Sequence, residues 1–367
     1  MPVTQISVAG YRSVRDLHLT FSRINVLTGP NGSGKSNLYN SLVLIAKAAQ
    51  GQFARAIAAE GGTPSVFWAG GEPVRLTRKK SPKRVILSFE SDLYGYEIQA
   101  GIPSPHSHPP GTTMFKLDPE VKEETIWPAG SRRRLPLMLN RQGPSAWLRN
   151  EDGAMVEYPF ALLKYESVLS QVIEPHRFPE ISAVRNEILC WRFYHHFRTD
   201  ADSPLRQPQI GVQTPVLSHD ASDLAAALET IVEIGDDAAL AEAVANAFGG
   251  ARLEIQCSET QFSVFLRIPG MLRALHAREF SDGQLRFLCL CAALLSPRPP
   301  SLLALNEPET SLHPDLIEPL ARLIVRASKD TQLSITTHSC YLAEKIEEHS
   351  GIPRIQLRMA DGETKLA

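Results

Sequence analysis

The first fifty residues follow a periodic pattern that predicts three strands and then a helix. Residues 3–9 are rich in apolar side chains, and apolar and polar positions alternate over residues 17–21, as in half-buried strands. Residues 24–28 form a short apolar run, and apolar side chains recur at helical spacing from Leu38 onwards. A polar, glycine-rich segment separates that run from the helix, so the predicted order is strand, loop, helix.

The middle of the chain divides into a β-rich part and a helical part. Short alternating segments between Gly and Pro clusters predict an antiparallel β region over residues 62–160. Periodic apolar positions predict helices over residues 162–172 and 224–232. The aromatic run WRFYHHF at residues 191–197 would suit base stacking, but a buried strand or helix edge is the favoured interpretation.

The last part of the chain returns to alternating strands and helices. Residues 302–305 form a continuous apolar run, which is typical of a strand buried on both faces of a parallel sheet. A helix is predicted over residues 316–327 and a further strand over residues 333–337, directly before His338. These alternations predict an α/β fold.

Composition narrows the class of protein without identifying a partner. Hydrophobic residues make up 43% and charged residues 21% of the 367 residues, which excludes a disordered or fibrous chain. Lys and Arg number 38 against 40 Asp and Glu, so nucleic acid would need a local basic patch. No apolar run approaches the roughly 18–20 residues of a membrane helix, and no signal peptide pattern is present. The five cysteines form no CxxC pair, so we expect reduced thiols, no cysteine metal site and a cytoplasmic protein without a membrane partner.

The glycine-rich segment after the third strand has the full phosphate-binding loop pattern, Gly-x-x-x-x-Gly-Lys-Ser. Its glycines allow backbone N–H groups to turn towards phosphate oxygens. Lys35 would reach the β- and γ-phosphates, Ser36 would ligate Mg²⁺, and the helix that follows adds its positive end. The residues expected to contact the nucleotide here are Gly29, Asn31, Gly32, Ser33, Gly34, Lys35, Ser36 and Asn37.

Motifs in the second half of the chain distinguish among nucleotide-binding proteins, because the loop alone suits kinases, GTPases and ABC-type ATPases alike. Residues 280–286 read FSDGQLR, which resembles the ABC signature LSGGQ with Phe for Leu and Asp for the first Gly. The next apolar strand ends in Asn306 and Glu307 and has the form of a Walker B strand. TSLHP at residues 310–314 occupies the D-loop position, and His338 occupies the position of the switch histidine.

Four motifs in this order resemble the RecF/SMC branch of ABC-type ATPases, and most of all the small bacterial RecF-like or AAA-domain ATPases without a coiled-coil arm. The resemblance implies a P-loop NTPase of the α/β class, an ABC-type ATPase head with an antiparallel β subdomain and a helical lobe. On this basis residues 1–160 would carry the N-terminal part of the head with the β subdomain. Residues 161–250 would form the helical lobe, and residues 251–367 the C-terminal part of the head.

The resemblance also implies roles for individual residues in an ATP-dependent homodimer. Lys35, Glu307 and His338 would be catalytic: Glu307 would orient or deprotonate the attacking water, and His338 would hold the γ-phosphate. Gln171 would be the Q-loop residue at Mg²⁺, with Gln142 as an equally good alternative. Further nucleotide contacts are expected from Arg12 and, across the dimer, from Ser281, Gly283 and Gln284.

One departure from the family pattern concerns the metal. The family has Asp-Glu at Walker B, whereas this chain has Asn306-Glu307. An Asn oxygen accepts the same hydrogen bond from a metal-bound water but carries no charge. Asn306 is therefore still expected beside Mg²⁺ together with Ser36, and slow ATP hydrolysis is expected.

DNA is the partner that a RecF-like protein implies, in repair or recombination. The local support is a basic stretch of Arg75, Arg78, Lys79, Lys80, Lys83 and Arg84, with a second cluster at residues 132–134. A solvated hairpin tip explains these charges equally well. The alternative function is a nucleotide-sensing or anti-phage defence ATPase that controls a protein partner. A P-loop kinase or GTPase is disfavoured by the signature motif and the late Walker B strand.

Overall fold

The structure is a computed structural model that describes residues 2–70, 84–103, 114–130 and 137–367. The strands in these ranges are β1 (Val3–Tyr11), β2 (Val14–Thr20), β3 (Ile24–Thr28), β4 (Arg84–Ser91), β5 (Tyr94–Gly101), β6 (Glu120–Pro128), β7 (Leu139–Gln142), β8 (Ser145–Arg149), β9 (Met155–Glu157), β10 (Arg192–Tyr194), β11 (Gln209–Ile210), β12 (Arg252–Ser258), β13 (Gln261–Arg267), β14 (Leu275–His276), β15 (Leu302–Asn306), β16 (Gln332–Thr336), β17 (Ile355–Ala360) and β18 (Glu363–Leu366). The helices are α1 (Lys35–Ala49), α2 (Phe53–Ala59), α3 (Thr63–Val66), α4 (Val168–Gln171), α5 (Pro179–Leu189), α6 (Leu224–Ile234), α7 (Asp237–Ala247), α8 (Asp282–Leu294), α9 (Ile317–Ala327) and α10 (Cys340–Ser350).

The chain forms two compact units, and each is built from segments that are distant in sequence. The first unit contains residues 1–22, 29–191 and 356–367, and the second contains residues 23–28 and 192–355. These units do not coincide with the sequence-based division at residues 160 and 250, because strand pairing joins early and late segments. In the second unit, for example, β3 pairs with β16, from the opposite end of the chain.

The first unit is organised around an eight-stranded antiparallel sheet in the order β2-β1-β4-β5-β6-β7-β8-β9. Strands β4 to β9 are joined in sequence order, which confirms the antiparallel β region predicted within residues 62–160. The hairpin of β17 and β18 also belongs mainly to this unit.

The predicted helix over residues 162–172 is wrong, because only Val168–Gln171 is helical. Arg141, which is fully buried beside Glu124, donates hydrogen bonds to the backbone carbonyls of Leu163 and Glu166. Both carbonyls are therefore held by side chains, and the backbone bond between these two residues is a long 3.4 Å contact from the Glu166 N–H to the Leu163 carbonyl, three residues and not four apart. Satisfying a buried charge has overridden the helical periodicity of the segment.

The second unit contains a parallel sheet in the order β10-β15-β16-β3. Every residue of β3, β15 and β16 is buried, as predicted for strands covered on both faces. One apolar core joins this sheet to α6, α8, α9 and α10. Phe197 lies in that core and Trp191 and Tyr194 are buried as well, which confirms the buried-strand interpretation of the aromatic run.

Helix α8 is apolar on nearly every side, and it is buried from Leu285 to its end. In the described part of the chain, no helix combines the length and apolar character that crossing a bilayer requires.

Candidate nucleotide-binding and catalytic residues

The phosphate-binding loop, residues 29–36, lies in the first unit between β3 and α1. Gly34 adopts a left-handed conformation with φ +98° immediately before α1, which begins at Lys35. Gly29 and Gly32 also have positive φ, +151° and +78°, values that side chains disfavour. The glycines of the sequence pattern are therefore required by the backbone conformation of the loop, because a side chain at these positions would be strained.

Lys35 is buried at the base of this loop. Its Nζ atom donates to the backbone oxygens of Gly29 and Pro30 at 2.7 and 3.1 Å. The Oγ atom of Ser33 is also buried, and among the described residues it has no hydrogen-bond partner. Ser36 and Asn31 are exposed. The loop thus holds a cation and an unsatisfied hydroxyl around its glycine-lined backbone.

The C-terminal hairpin supports the phosphate-binding loop from behind. A Cβ atom on Gly34 would lie 2.1 Å from Oγ1 of Thr364, and one on Gly29 would lie 2.2 Å from the carbonyl oxygen of Leu357. Thr364 is also hydrogen-bonded to Ser13 through the two hydroxyls, at 2.7 Å. Asn37 donates to the same Ser13 hydroxyl at 2.8 Å. Sequence reasoning named Asn37 but missed Ser13 and Thr364, because nothing in their local sequence signals the contact.

Arg12, expected near the nucleotide, is paired within the first unit. Its guanidinium lies 2.9 Å from Oε2 of Glu60, which also accepts a hydrogen bond from Tyr11 at 2.6 Å. Burial, followed by the bond to Glu60, raises the pKa of Tyr11 well above its usual value. Arg12 itself has φ +48°, so its backbone is held in an unusual conformation as well.

The two candidate Q-loop residues have different surroundings. The Gln171 side chain accepts from the backbone N–H of Leu163 and donates to the carbonyls of Leu163 and Glu166. Its amide therefore closes a local loop. Gln142 is exposed and ends β7, opposite Ser145 in the β7–β8 pair.

In the second unit, the carboxyl ends of β15 and β16 bring several predicted residues together. Asn306 is paired in register with Thr336, and its buried side chain accepts a hydrogen bond from the Thr336 hydroxyl at 2.5 Å. On the other side its Nδ2 atom lies 2.9 Å from Nδ1 of His195, just beyond β10. With the amide donating, this contact requires the Nδ1 atom of His195 to be unprotonated. His195 was not foreseen from the sequence.

Glu307 is held by its backbone and by its side chain. It has φ +49°, unusual for a residue other than glycine, and its N–H donates to the carbonyl of Thr336 at 2.8 Å. The buried Arg286 of α8 donates to the Glu307 carbonyl at 3.0 Å. Oε1 of Glu307 lies 3.0 Å from Nε2 of His338, and both side chains are about one-third exposed, at 35% and 37%. The structure therefore brings together Glu307 and His338, which the sequence predicted as catalytic.

The signature segment begins α8 with a reciprocal cap. The Ser281 hydroxyl accepts from the N–H of Gln284, and the Gln284 side chain accepts from the N–H of Ser281. A Cβ atom on Gly283 would lie 3.0 Å from the carbonyl oxygen of Ser311 in the D-loop segment. The glycine thus permits a close approach of two backbones.

Arg206 explains how the signature tolerates an acidic residue. Its Nη2 atom donates to Oδ1 of Asp282 at 2.8 Å, and its Nη1 atom donates to the Phe280 carbonyl at 2.6 Å. The same guanidinium donates to the carbonyls of Thr199 and Asp200. One arginine therefore balances the charge of Asp282 and fixes the turn that precedes the signature serine.

Most of the predicted basic stretch, Arg75, Arg78, Lys79, Lys80 and Lys83, lies outside the described residues, as does the cluster at 132–134. Arg84 is described, and its guanidinium lies 2.6 Å from Glu123 and 2.8 Å from the side-chain oxygen of Gln99. Its charge is therefore balanced by a carboxylate on β6, two strands away in the same sheet.

Comparison with known proteins agrees with this arrangement of motifs. Residues 24–344 match the family described as "AAA domain, putative AbiEii toxin, Type IV TA system". No curated protein matches the chain.

Among solved structures, the chain is similar to an SMC head bound to the C-terminal winged-helix domain of ScpA. The two are 14% identical, with a TM-score of 0.50 and coverage of 100% of this chain and 98% of that one. Similar figures hold for the SMC head domain from Thermotoga maritima (15%, TM-score 0.49, coverage 100% and 98%) and for an SMC head with an extended coiled coil bound to a C-terminal domain of ScpA, from Pyrococcus furiosus (14%, TM-score 0.49, coverage 100% and 96%). The likeness at a TM-score of 0.50 supports an ABC-type, SMC-head-like fold.

Proposed function

From the premise that this chain belongs to the AAA-domain family matched over residues 24–344, we propose that it binds ATP with Mg²⁺ and hydrolyses it slowly. The observation that carries the proposal is the glycine-built loop with buried Lys35 at the start of α1. This is the arrangement that cradles phosphates in P-loop proteins.

The residues of the loop suit a triphosphate. The buried Ser33 hydroxyl lacks a partner within the described residues, and an anion would satisfy it. Lys35 would turn from the carbonyls of Gly29 and Pro30 to phosphate oxygens, and both partners of the new bond would be charged. Ser36, exposed at the start of α1, would provide a hydroxyl ligand for Mg²⁺. The bound nucleotide with its metal supplies the electrophilic γ-phosphoryl group.

Glu307 and His338 would act on the attacking water. A carboxylate at Glu307 can orient the water and accept its proton. The imidazole 3.0 Å away would keep that carboxylate in one rotamer, and the αL backbone fixes where the side chain leaves the strand. Asn306 adds no negative charge, so a metal-bound water would be held by a neutral acceptor only. A low turnover follows from that missing charge.

The active form would be a homodimer in which α8 of one copy meets the nucleotide of the other. Ser281, Gly283 and Gln284 would face the partner's phosphates with the positive end of a helix of 13 residues. The pairing of Asp282 with Arg206 supports this role, because an unbalanced carboxylate at this helix end would repel an anion.

The test combines ATP binding by calorimetry with phosphate release in Mg²⁺. Lys35→Ala should weaken ATP binding by about 10- to 100-fold, as expected for loss of a charged hydrogen bond. Lys47→Ala is the matched control, because Lys47 lies on the same helix and bonds only to Gln50 and Gln52 among the contacts described. Glu307→Gln should leave ATP affinity intact and lower turnover by about 10²- to 10⁴-fold. Equal ATP affinity in the Lys35 variant and the wild type would refute the proposal.

The family description favours a role in defence over one in DNA repair, since it names a toxin of a Type IV TA system. A defence ATPase would use its nucleotide state to control a protein partner. The alternative, DNA binding through the basic stretch at residues 75–84, predicts an affinity for duplex DNA that falls steeply with salt. Charge reversal of Lys79, Lys80 and Lys83 should then flatten the salt slope, and an unchanged slope would argue against DNA.

A further inference from the structure

Glu309 uses a single carboxylate oxygen to hold the segment that carries the switch histidine. Its Oε1 atom accepts from the Thr337 hydroxyl at 2.6 Å and from the backbone N–H groups of His338 and Ser339 at 2.9 and 3.1 Å. These three donors are consecutive residues between β16 and α10. Such a cluster on one anionic oxygen fixes the backbone at His338 far more firmly than a single bond would.

His338 therefore contacts two glutamates that lie two positions apart in the chain, one through its ring and the other through its backbone. Its ring contacts the carboxylate of Glu307 at 3.0 Å, and its backbone N–H contacts the carboxylate of Glu309. The link between the two anchors is stiff, because Pro308 is buried between them and Glu307 has a left-handed backbone. The N–H of Thr310 also closes a turn onto the Glu307 carbonyl at 3.1 Å.

We propose that Glu309 is a positioning residue that sets the imidazole of His338 against Glu307. The proposal rests on the proposed ATPase function and adds a residue to which no role has been assigned. Glu309 touches neither the nucleotide nor the water in this scheme. It acts on the reaction only through the backbone of residues 337–339.

The negative charge of Glu309 lies near a positive charge on α8, that of Arg286. Burial lowers the pKa of Arg286, and the negative charges around it, Glu309 and Glu307 among them, oppose that shift. Arg286 is thus a cation close to both carboxylates, and it donates a hydrogen bond to the backbone carbonyl of Glu307. A neutral side chain at position 309 could keep the hydrogen bonds but would leave Arg286 with one anion fewer.

The experiment compares Glu309→Ala with Glu309→Gln, which retains an oxygen acceptor. Glu309→Ala should lower kcat by roughly 10- to 100-fold, the usual effect of losing a residue that orients a catalytic group, with ATP affinity within about twofold. Glu309→Gln should retain turnover within roughly threefold of the wild type. The matched control is Glu318→Ala, because Glu318 in the same unit also accepts bonds from two side chains, Arg322 and His349, but lies at the start of α9.

Two further measurements separate positioning from plain structural support. Adding Glu309→Ala to His338→Ala should lower kcat no further than His338→Ala alone, because both changes remove the same contact. Amide hydrogen exchange of the nucleotide-free protein should show faster exchange at residues 338 and 339 in Glu309→Ala, and little change there in Glu309→Gln.

Three outcomes would overturn the inference: wild-type turnover in Glu309→Ala, losses that multiply in the double variant, or unchanged exchange at residues 338 and 339. Failure of the proposed function looks different. In that case the wild type itself shows no turnover sensitive to Lys35→Ala or Glu307→Gln, and no catalytic role remains for Glu309, while the exchange data still report whether its contact exists.

Discussion

The phosphate-binding loop at residues 29–36 and the carboxyl edge of β15 and β16 are built on opposite principles. The loop relies on shape: glycines with positive φ, and neutral hydroxyl contacts from Ser13 and Thr364. The edge relies on charge: two carboxylates, a buried guanidinium and two imidazoles are brought there by segments distant in sequence. The loop has glycines at its positions of positive φ. The edge instead has Glu307, a residue with a side chain, in a left-handed backbone conformation.

The difference predicts which substitutions each region can tolerate. A loop defined by close backbone approach fails when atoms are added, whereas an edge defined by paired charges fails when a partner is removed or its charge is altered. The four predictions below test this contrast, from the largest effect to the smallest.

The strongest test of the shape principle is Gly34→Ala compared with Gly32→Ala. Both glycines have positive φ, so each variant loses about 1–2 kcal/mol of folding free energy to backbone strain. Gly34→Ala also collides with Thr364, while a Cβ atom on Gly32 meets nothing within 4 Å. We expect Gly34→Ala to cost about 1–3 kcal/mol more, measured by urea unfolding. Thr364→Ala should recover part of that difference; no recovery would mean that the collision is not the cause.

The dependence on paired charges is also tested at the start of α8, where Arg206 donates hydrogen bonds to Asp282 and to several carbonyls. Arg206→Gln should cost about 1–3 kcal/mol of unfolding free energy, because carbonyls lose their donor. It should also weaken the proposed ATP-dependent dimerisation, measured by light scattering. Adding Asp282→Asn should restore dimerisation but not stability, since it removes only the unbalanced charge. Arg198→Gln, which breaks an exposed pair with Asp200, should change little. Loss of dimerisation that Asp282→Asn does not relieve would contradict the electrostatic part of this reasoning.

Asn306→Asp tests whether the contacts at the carboxyl edge of β15 and β16 require a neutral side chain at position 306. A carboxylate there would face the nitrogen of His195 that now accepts a hydrogen bond, so this nitrogen would have to carry a proton. The neutral imidazole can supply it by changing tautomer, and the new negative charge favours the doubly protonated ring. Stability gained from a protonated histidine is present at low pH and is lost as pH rises. The variant should therefore lose about 1 kcal/mol relative to the wild type between pH 5.5 and pH 8, measured by urea unfolding.

The same variant should require less Mg²⁺ for half-maximal turnover, because the new carboxylate attracts the metal. Adding His195→Gln should abolish the pH dependence, and a pH-independent Asn306→Asp would show that the two side chains are not coupled.

The smallest effect is expected at Glu279, on the turn before the signature. Bonds from Arg273, and then from the His276 backbone, lower the pKa of Glu279 to about 2. Its stabilising contribution is therefore present above the usual carboxyl range near pH 4.3 and is lost as pH falls towards 2. Glu279→Gln should be less stable than the wild type at pH 6, with the gap closing by pH 2 in thermal unfolding. Glu254→Gln, which alters another exposed pair, with Arg267, controls for general acid effects. A gap that persists at pH 2 would show that the charge of Glu279 is not responsible.

The sequence predicts the phosphate-binding loop well because its glycines, lysine and serine are neighbours in the chain, and the same holds for the strands of the parallel sheet. It also places Glu307 and His338 just beyond two recognisable strands, where the structure brings their side chains together. The supporting residues Thr364, His195 and Arg206 were missed because each acts on a motif far away in sequence. The failed helix at residues 162–172 has the same origin, because Arg141 on β7 donates to carbonyls of this segment that a helix would have used.

The pairing of β3 with β16 has a consequence for how the protein is made. During synthesis β3 is translated long before its partner β16, since Ile24 pairs with Leu333. Until β16 has been translated, the apolar strand β3, which is fully buried in the folded protein, lacks this pairing partner. Such long-range pairing slows folding and exposes nascent chains to aggregation, so β3 would need protection by a chaperone or by transient contacts until β16 has been translated.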